Sequence, residues 1–312
     1  MVLIICGCDD STNSIKHTPQ EKAEIQRYLS RVKADLVYVH GGTFWMGDFC
    51  KKMRGDGPYC SSEKDTKPLH EIELSSFSIS KFKVTHEDYK FYLKINNLPA
   101  QTFDKKWKDA TLAEMNHFKN SPAIVNWTEA NNYCIWLGRV TGLPFSLPTE
   151  AQWEYSARSR GQDILVATDD GVWRENKNNG KGVNYATDVD RQAIEDMVGI
   201  NSTSVHFPVN AYPPSPLGLY GMADNGYEWV KDWYDPNYYN VADKKNPQGP
   251  EKPVIKDERT GQYRKVLRGG NNPDPTGDVG LTFYRGYRIT DNPYPVSTTV
   301  RCVVNAPDPI KE

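Results

Sequence analysis

Gly218-Leu219-Tyr220-Gly221-Met222-Ala223-Asp224-Asn225-Gly226-Tyr227-Glu228-Trp229-Val230-Lys231-Asp232-Trp233 is the stretch on which the fold turns, together with Val266-Leu267-Arg268-Gly269-Gly270 downstream. Glycines, an Asn/Glu pair and two tryptophans at fixed offsets describe a tightly turned loop closed by aromatic packing. The chain around it is built in the same style. Its 23 Gly, 21 Pro and 18 Tyr, with 38% hydrophobic residues, predict a folded protein rich in turns and neither a disordered tail nor a helical bundle. Lys+Arg (38) and Asp+Glu (40) nearly cancel, so no basic field draws the chain to nucleic acid or acidic lipid. At 312 residues either one large or two small domains would bury a core, and the absence of a Pro/Gly/Ser linker or internal repeat favours one.

Working outward, Leu147-Pro148-Thr149-Glu150-Ala151-Gln152-Trp153-Glu154 contains a capping box, Thr149 with Gln152, that starts a helix. Asn126-Trp127-Thr128-Glu129-Ala130 starts another, with Thr128 as the expected N-cap. Alternation of Ile72, Leu74, Phe77, Ile79, Phe82 and Val84 predicts strands with one buried face, after which Thr85 caps a helix through Tyr92. Between Arg158 and Pro216 Gly, Asn and Asp are frequent and regular structure is expected to be scarce; Pro236 to Tyr263 reads as a surface loop. Ile25, Tyr28, Leu29 and Val32 form one amphipathic face in the segment Thr18–Lys33, read as a tether helix. The strand Leu36-Val37-Tyr38-Val39 and the turn at Gly41-Gly42 then open the domain near residue 34.

Met1-Val2-Leu3-Ile4-Ile5-Cys6-Gly7-Cys8 reads as the end of a bacterial lipoprotein signal, with Cys8 as the lipidated residue; the competing reading is a short buried strand. The resulting division is a partial signal at 1–7, a tether with its amphipathic helix at 8–33 and one domain at 34–308. Asp9 resembles an inner-membrane retention signal, so the expectation is a periplasmic domain anchored by lipid to the inner membrane. Four further cysteines, Cys50, Cys60, Cys134 and Cys302, allow three pairings, and a local Cys50–Cys60 bridge would remove entropy from the loop Lys51–Tyr59. Two buried free thiols at Cys134 and Cys302 are the alternative to a long-range bridge.

These blocks in this order resemble the formylglycine-generating enzyme (sulfatase-modifying factor) family. The resemblance rests on the valine-rich strand with Gly41-Gly42 and Met46-Gly47, on Leu147-Pro148-Thr149-Glu150 through Trp153-Glu154-Tyr155, on Asn225-x-x-Glu228-Trp229, and on Arg268-Gly269-Gly270. It implies an irregular α+β fold related to C-type lectin domains, with little regular secondary structure. It also implies a Cys134–Cys302 disulfide, and calcium as a structural ion at Asn225 and Glu228 with a looser second site at Asn184 and Asp188. Hard cations take Asn, Asp, Glu and carbonyl oxygens, which makes that chemistry reasonable; equally, Asn225 can cap the loop and Glu228 pair with an arginine. The family glycine before Asn225 is Asp224 here.

The family's oxidation uses a cysteine pair after Arg-Gly-Gly to hold copper, because soft thiolates select the monovalent ion. Asn271 to Tyr287 contains no cysteine, so copper is not expected. The histidines, at 17, 40, 70, 86, 117 and 206, lack the His-x-x-x-His-x-Glu spacing of the iron-dependent branch, and P-loop and Gly-x-Ser-x-Gly patterns are absent. Trp229 and Trp233 are assigned to the core, whereas Tyr238, Tyr239, Asn271, Asp274, Tyr284 and Arg285 are candidates for binding a protein partner. By analogy with relatives that lack the thiol pair, the reading is a non-catalytic, lipid-tethered periplasmic protein that binds a partner protein, as a type VI secretion immunity or accessory protein that binds and neutralises a toxic effector. The alternatives are a periplasmic oxidase with an altered site and a calcium-dependent lectin-like module.

Overall fold

The computed structural model describes residues 16–102, 118–174, 182–198, 206–271, 277–292 and 297–311. The lipoprotein reading of Cys8 and the binding candidate Asp274 lie outside them. The elements begin with helix α1 (Pro19–Ala34), strands β1 (Leu36–Val39) and β2 (Gly42–Met46), and the short helix α2 (Cys50–Met53). Strands β3 (His70–Leu74) and β4 (Phe77–Ser80) and helices α3 (His86–Ile95) and α4 (Trp127–Thr141) follow. Next come β5 (Phe145–Ser146), α5 (Glu150–Ala157) and α6 (Asp188–Val198). The chain closes with β6 (Tyr227–Trp233), β7 (Arg264–Arg268), β8 (Gly286–Ile289), β9 (Thr298–Thr299) and β10 (Val303–Val304). This is the irregular α+β fold that the sequence implied.

Three small sheets carry the architecture. One has the order β1-β4-β10-β5, a second is the hairpin β2-β3, and the third runs β8-β7-β6-β9 with β9 parallel to β6. The β6-β7 pair is buried on both faces. Val230 and Val266 pack into one core with Phe44, Met46, Ile72 and Trp153; their neighbours Trp229 and Leu267 point into the other, with Tyr133, Trp136, Cys302 and Val304. Strand alternation therefore makes this hairpin the partition between two cores. Its polar side chains, Glu228 and Arg268, face each other in register within that partition.

Several local expectations are corrected. Helix α1 is not a free tether: Ile25, Tyr28 and Leu29 are buried in the second core, the Tyr28 hydroxyl meets that of Tyr133, and Arg31 pairs with Asp88. The described fold thus includes α1, which the capping box of Thr18 with Glu21 starts. Asn126, not Thr128, caps α4, because Asn126 and Glu129 form the reciprocal capping box. Helix α3 runs three residues beyond Tyr92, to Ile95. The glycine-rich region also contains α6, started by Thr187 and Asp190 bonding each other's backbone N–H. Among the described residues no helix is long and apolar enough to cross a membrane.

Candidate functional site

Glu228 sits at the start of β6 and is fully buried. Its Oε2 accepts from Arg301 Nε at 2.6 Å and from the Trp153 indole at 3.0 Å, and its Oε1 from the second Arg301 nitrogen at 2.9 Å. The Lys83 ammonium stands 3.4 Å from Oε1, donates to the Asp224 carbonyl at 3.0 Å, and also donates to the Gly226 carbonyl. Burial would raise the Glu228 carboxyl, but Arg301 and Lys83 outweigh it and hold it below its ordinary value. Burial also pushes Lys83 down, to about 8 against the pull of Glu228, so the ammonium remains charged at neutral pH.

Asn225 is committed to the loop. Its Oδ1 accepts the Phe207 N–H at 2.8 Å and its Nδ2 donates to the Phe207 carbonyl at 2.9 Å. Asp224, standing where the family has glycine, accepts from Arg191 at 3.0 Å and from the Ala186 N–H at 2.8 Å. These residues do not fit a calcium ion: the acceptors of Asn225 and Glu228 are filled by protein donors, and an ammonium already lies among the oxygens. At the second expected site, Asn184 is buried and its Oδ1 accepts the Arg174 N–H at 2.9 Å, whereas Asp188 is exposed on the first turn of α6. Arg174 supplies the cation beside Asn184, through Asp169 at 2.8 Å and through Asp170.

Across the hairpin, Arg268 bridges two carboxylates of α5, Glu150 at 2.7 Å and Glu154 at 2.8 Å. Arg285 grips Glu150 with Nε at 2.7 Å and its second nitrogen at 3.0 Å, and Arg158 holds Glu154 at 2.9 Å. Burial would raise the Glu150 carboxyl, but Arg285 and Arg268 outweigh it and hold it down. Gly269 then turns the chain at φ +76°, where a Cβ would lie 2.7 Å from the Met222 carbonyl oxygen. No larger side chain fits there.

Four of the residues expected to line an open groove are buried. Tyr238 and Tyr239 are buried in the first core, and Arg285 is buried by the network that holds Glu150. Tyr239 stacks under Arg285, whose guanidinium lies 4.4 Å from the ring centre. Asn271 is buried, with its carbonyl accepting from Arg191 at 2.9 Å; Tyr284 is half-buried. None of the binding candidates within the described residues forms an open aromatic patch.

Both disulfides are formed: Cys50 with Cys60, and Cys134 with Cys302. Every cysteine among the described residues is thereby oxidised, and Phe283 is buried against Phe49 beside the Cys50–Cys60 bridge. A thiolate site for copper does not fit these residues.

Other aromatic side chains gather around β7, half-buried at Trp127, Trp233 and Tyr263 and exposed at Tyr287. Trp127 stacks on Trp233 at 6.3 Å between ring centres, and Trp233 meets Tyr263 edge-on at 6.2 Å. The Lys265 ammonium stands 3.6 Å from the Trp233 ring centre and 4.2 Å from that of Trp127. Tyr287, 43% exposed, packs on Tyr234 and beneath Arg264. Trp233, assigned to the core from sequence, is only half-buried. The register of β6 against β7 shifts between Trp229 and Trp233, and Trp233 at the end of β6 pairs with Lys265.

The profile of the sulfatase-modifying factor enzyme 1-like domain matches residues 21–293. The formylglycine-generating enzyme of Bos taurus is 31% identical, over 82% of this chain and 67% of its own length. Serine/threonine-protein kinase pkn1 of Chlamydia caviae is 28% identical over 91% of this chain, which spans 39% of the kinase's length. Among solved structures, PvdO from Pseudomonas aeruginosa superposes with a TM-score of 0.59 at 21% identity, covering 86% of this chain and 93% of that one.

Proposed function

Because the chain belongs to the sulfatase-modifying factor family yet has no cysteine between Asn271 and Tyr287, we propose that it is a binding member of that family which holds a partner protein. The observation that carries this reading is the state of its cysteines. The four within the described residues are consumed by two disulfides, and Phe283 fills space beside one of them. The two bridges also support an oxidising compartment.

The face offered to a partner is the one on which Arg264 lies over the exposed Tyr287. Tyr, Trp and Arg are the side chains that anchor protein interfaces, because each combines large contact area with a polar handle. Two measurements test the reading. A cysteine peptide that serves formylglycine-generating enzyme, incubated with the chain, copper and oxygen, should yield no aldehyde on hydrazide capture; aldehyde formation sinks the proposal. A photocross-linker at position 287, used in the source cells, should trap a protein that binds the purified chain, and Tyr287→Ala should weaken that binding roughly 30-fold. Unchanged affinity would move the interface elsewhere.

A further inference from the structure

The loop before β6 gathers oxygens around one point. Asn225 and Gly226 both have left-handed backbones, at φ +66° and +101°, and Gly226 is required because a Cβ there would lie 2.5 Å from the Thr299 methyl. The turn aims the carbonyls of Asp224 and Gly226 at the same position as Glu228 Oε1. Such a set of two carbonyls and a carboxylate is the ligand chemistry of a hard divalent cation. What fills it is the Lys83 ammonium, buried with 2% exposure, whose three N–H groups match the three oxygens.

We propose that Lys83 is a built-in replacement for a metal ion: its ammonium occupies the oxygen cage of Asp224, Gly226 and Glu228, and it makes the fold of this loop independent of calcium. A lysine suits the task where an arginine would not, since its head is a compact point charge on a flexible stem. Lys83 lies just beyond β4, and its charge crosses 141 residues of sequence to reach the Asp224 carbonyl. It therefore ties the first sheet to the β6 loop as a bridging ion would. The cage and the lysine exclude each other, because a cation at the centre would stand within contact distance of the ammonium. The inference holds whether the chain binds a partner or catalyses a reaction.

The test is thermal unfolding of the full chain in EDTA and in millimolar calcium chloride. The wild type should melt within about 1 °C of the same temperature in both. Lys83→Ala vacates the cage; it should melt lower in EDTA and regain roughly 5 °C in calcium, whereas Lys83→Met, which keeps the cage filled with an apolar stem, should melt lower and regain nothing. Recovery of Lys83→Met equal to that of Lys83→Ala, or no recovery of a folded Lys83→Ala, overturns the proposal. Since Lys83→Ala can fail to fold, the calcium content of the purified wild type is measured in parallel. Substoichiometric calcium supports the built-in cation, and one tightly held ion per chain overturns it.

Discussion

A single indole separates two buried ionic clusters that solve the same problem differently. The Trp153 N–H donates to Glu228, while Arg268 lies 5.2 Å from the centre of the same ring and bridges Glu150 and Glu154. Around Glu228 one carboxylate meets a guanidinium and an ammonium, and the surplus donors are absorbed by loop carbonyls at Ser80, Tyr220, Asp224 and Gly226. Around Glu150 and Glu154 all the gripping cations are guanidinium forks. A fork matches carboxylate geometry and fixes orientation; an ammonium fixes only charge and position. The difference teaches that the Glu228 cluster holds a place for a cation, whereas the Glu150 cluster is a clamp that sets the angle between α5 and the hairpin. Each has a disulfide beside it. Cys302 follows Arg301, and Cys50 follows Phe49, over whose ring Arg158 stacks at 4.1 Å.

The largest expected effect separates those two bridges. Closing a loop of sequence separation 168 removes unfolded-state entropy equivalent to about 5 kcal/mol, against about 3 kcal/mol for a separation of 10. Replacing Cys134 and Cys302 by alanine should therefore cost more in urea unfolding than replacing Cys50 and Cys60. Equal losses would mean that both clusters depend on their disulfides for local geometry rather than for chain entropy.

A smaller effect distinguishes fork from point charge. Arg268→Lys should cost about 3 kcal/mol, because one ammonium cannot serve Glu150 and Glu154 together and one buried carboxylate loses its partner. Arg301→Lys should cost less, roughly 2 kcal/mol, since Glu228 keeps Lys83 and the Trp153 indole. If denaturant unfolding ranks Arg301→Lys as the costlier of the two, the contrast between clamp and cation site fails.

Much of this was written in local sequence, and the part that was not has a common cause. The Thr149/Gln152 capping box, the strands from Ile72 to Ile79 and both cysteine pairs follow from residues close in the chain or from an ordered set of motifs. Helix α6 and the true cap of α4 were legible too, in Thr187-x-x-Asp190 and Asn126-x-x-Glu129, but the surrounding glycines and the adjacent Thr128 masked them. Lys83 was not legible. In Lys81-Phe82-Lys83-Val84 it reads as the solvent half of an alternating strand, and only carbonyls some 140 residues away explain its burial. Tyr239 and Arg285 misled for the same reason, since Glu150, which draws both inward, lies 89 and 135 residues from them. Charge pairing across such separations has no periodicity to betray it.

The smallest effect concerns the edge of the clamp, where Asp232 accepts the Glu150 N–H at 2.8 Å. Burial first, and then the neighbouring Glu150 carboxylate, push the Asp232 carboxyl up to about 7 from an ordinary 3.8. The folded state consequently binds a proton there that the unfolded state has released. The stabilisation is fully present below about pH 4 and is lost as pH rises through about 7. Asp232→Asn keeps an oxygen for the Glu150 N–H and removes the ionisation. It should melt close to the wild type at pH 4 and above it at pH 8, by an amount on the order of 2 kcal/mol. Glu228, held below its ordinary value by Arg301 and Lys83, predicts the opposite slope for its cluster, with stability lost as pH falls through its folded value. Paired unfolding curves of wild type and Asp232→Asn between pH 4 and pH 8 isolate the first slope from the second. A difference between them that stays constant with pH would show that the clamp does not protonate Asp232, and that both clusters are held by fully ionised carboxylates.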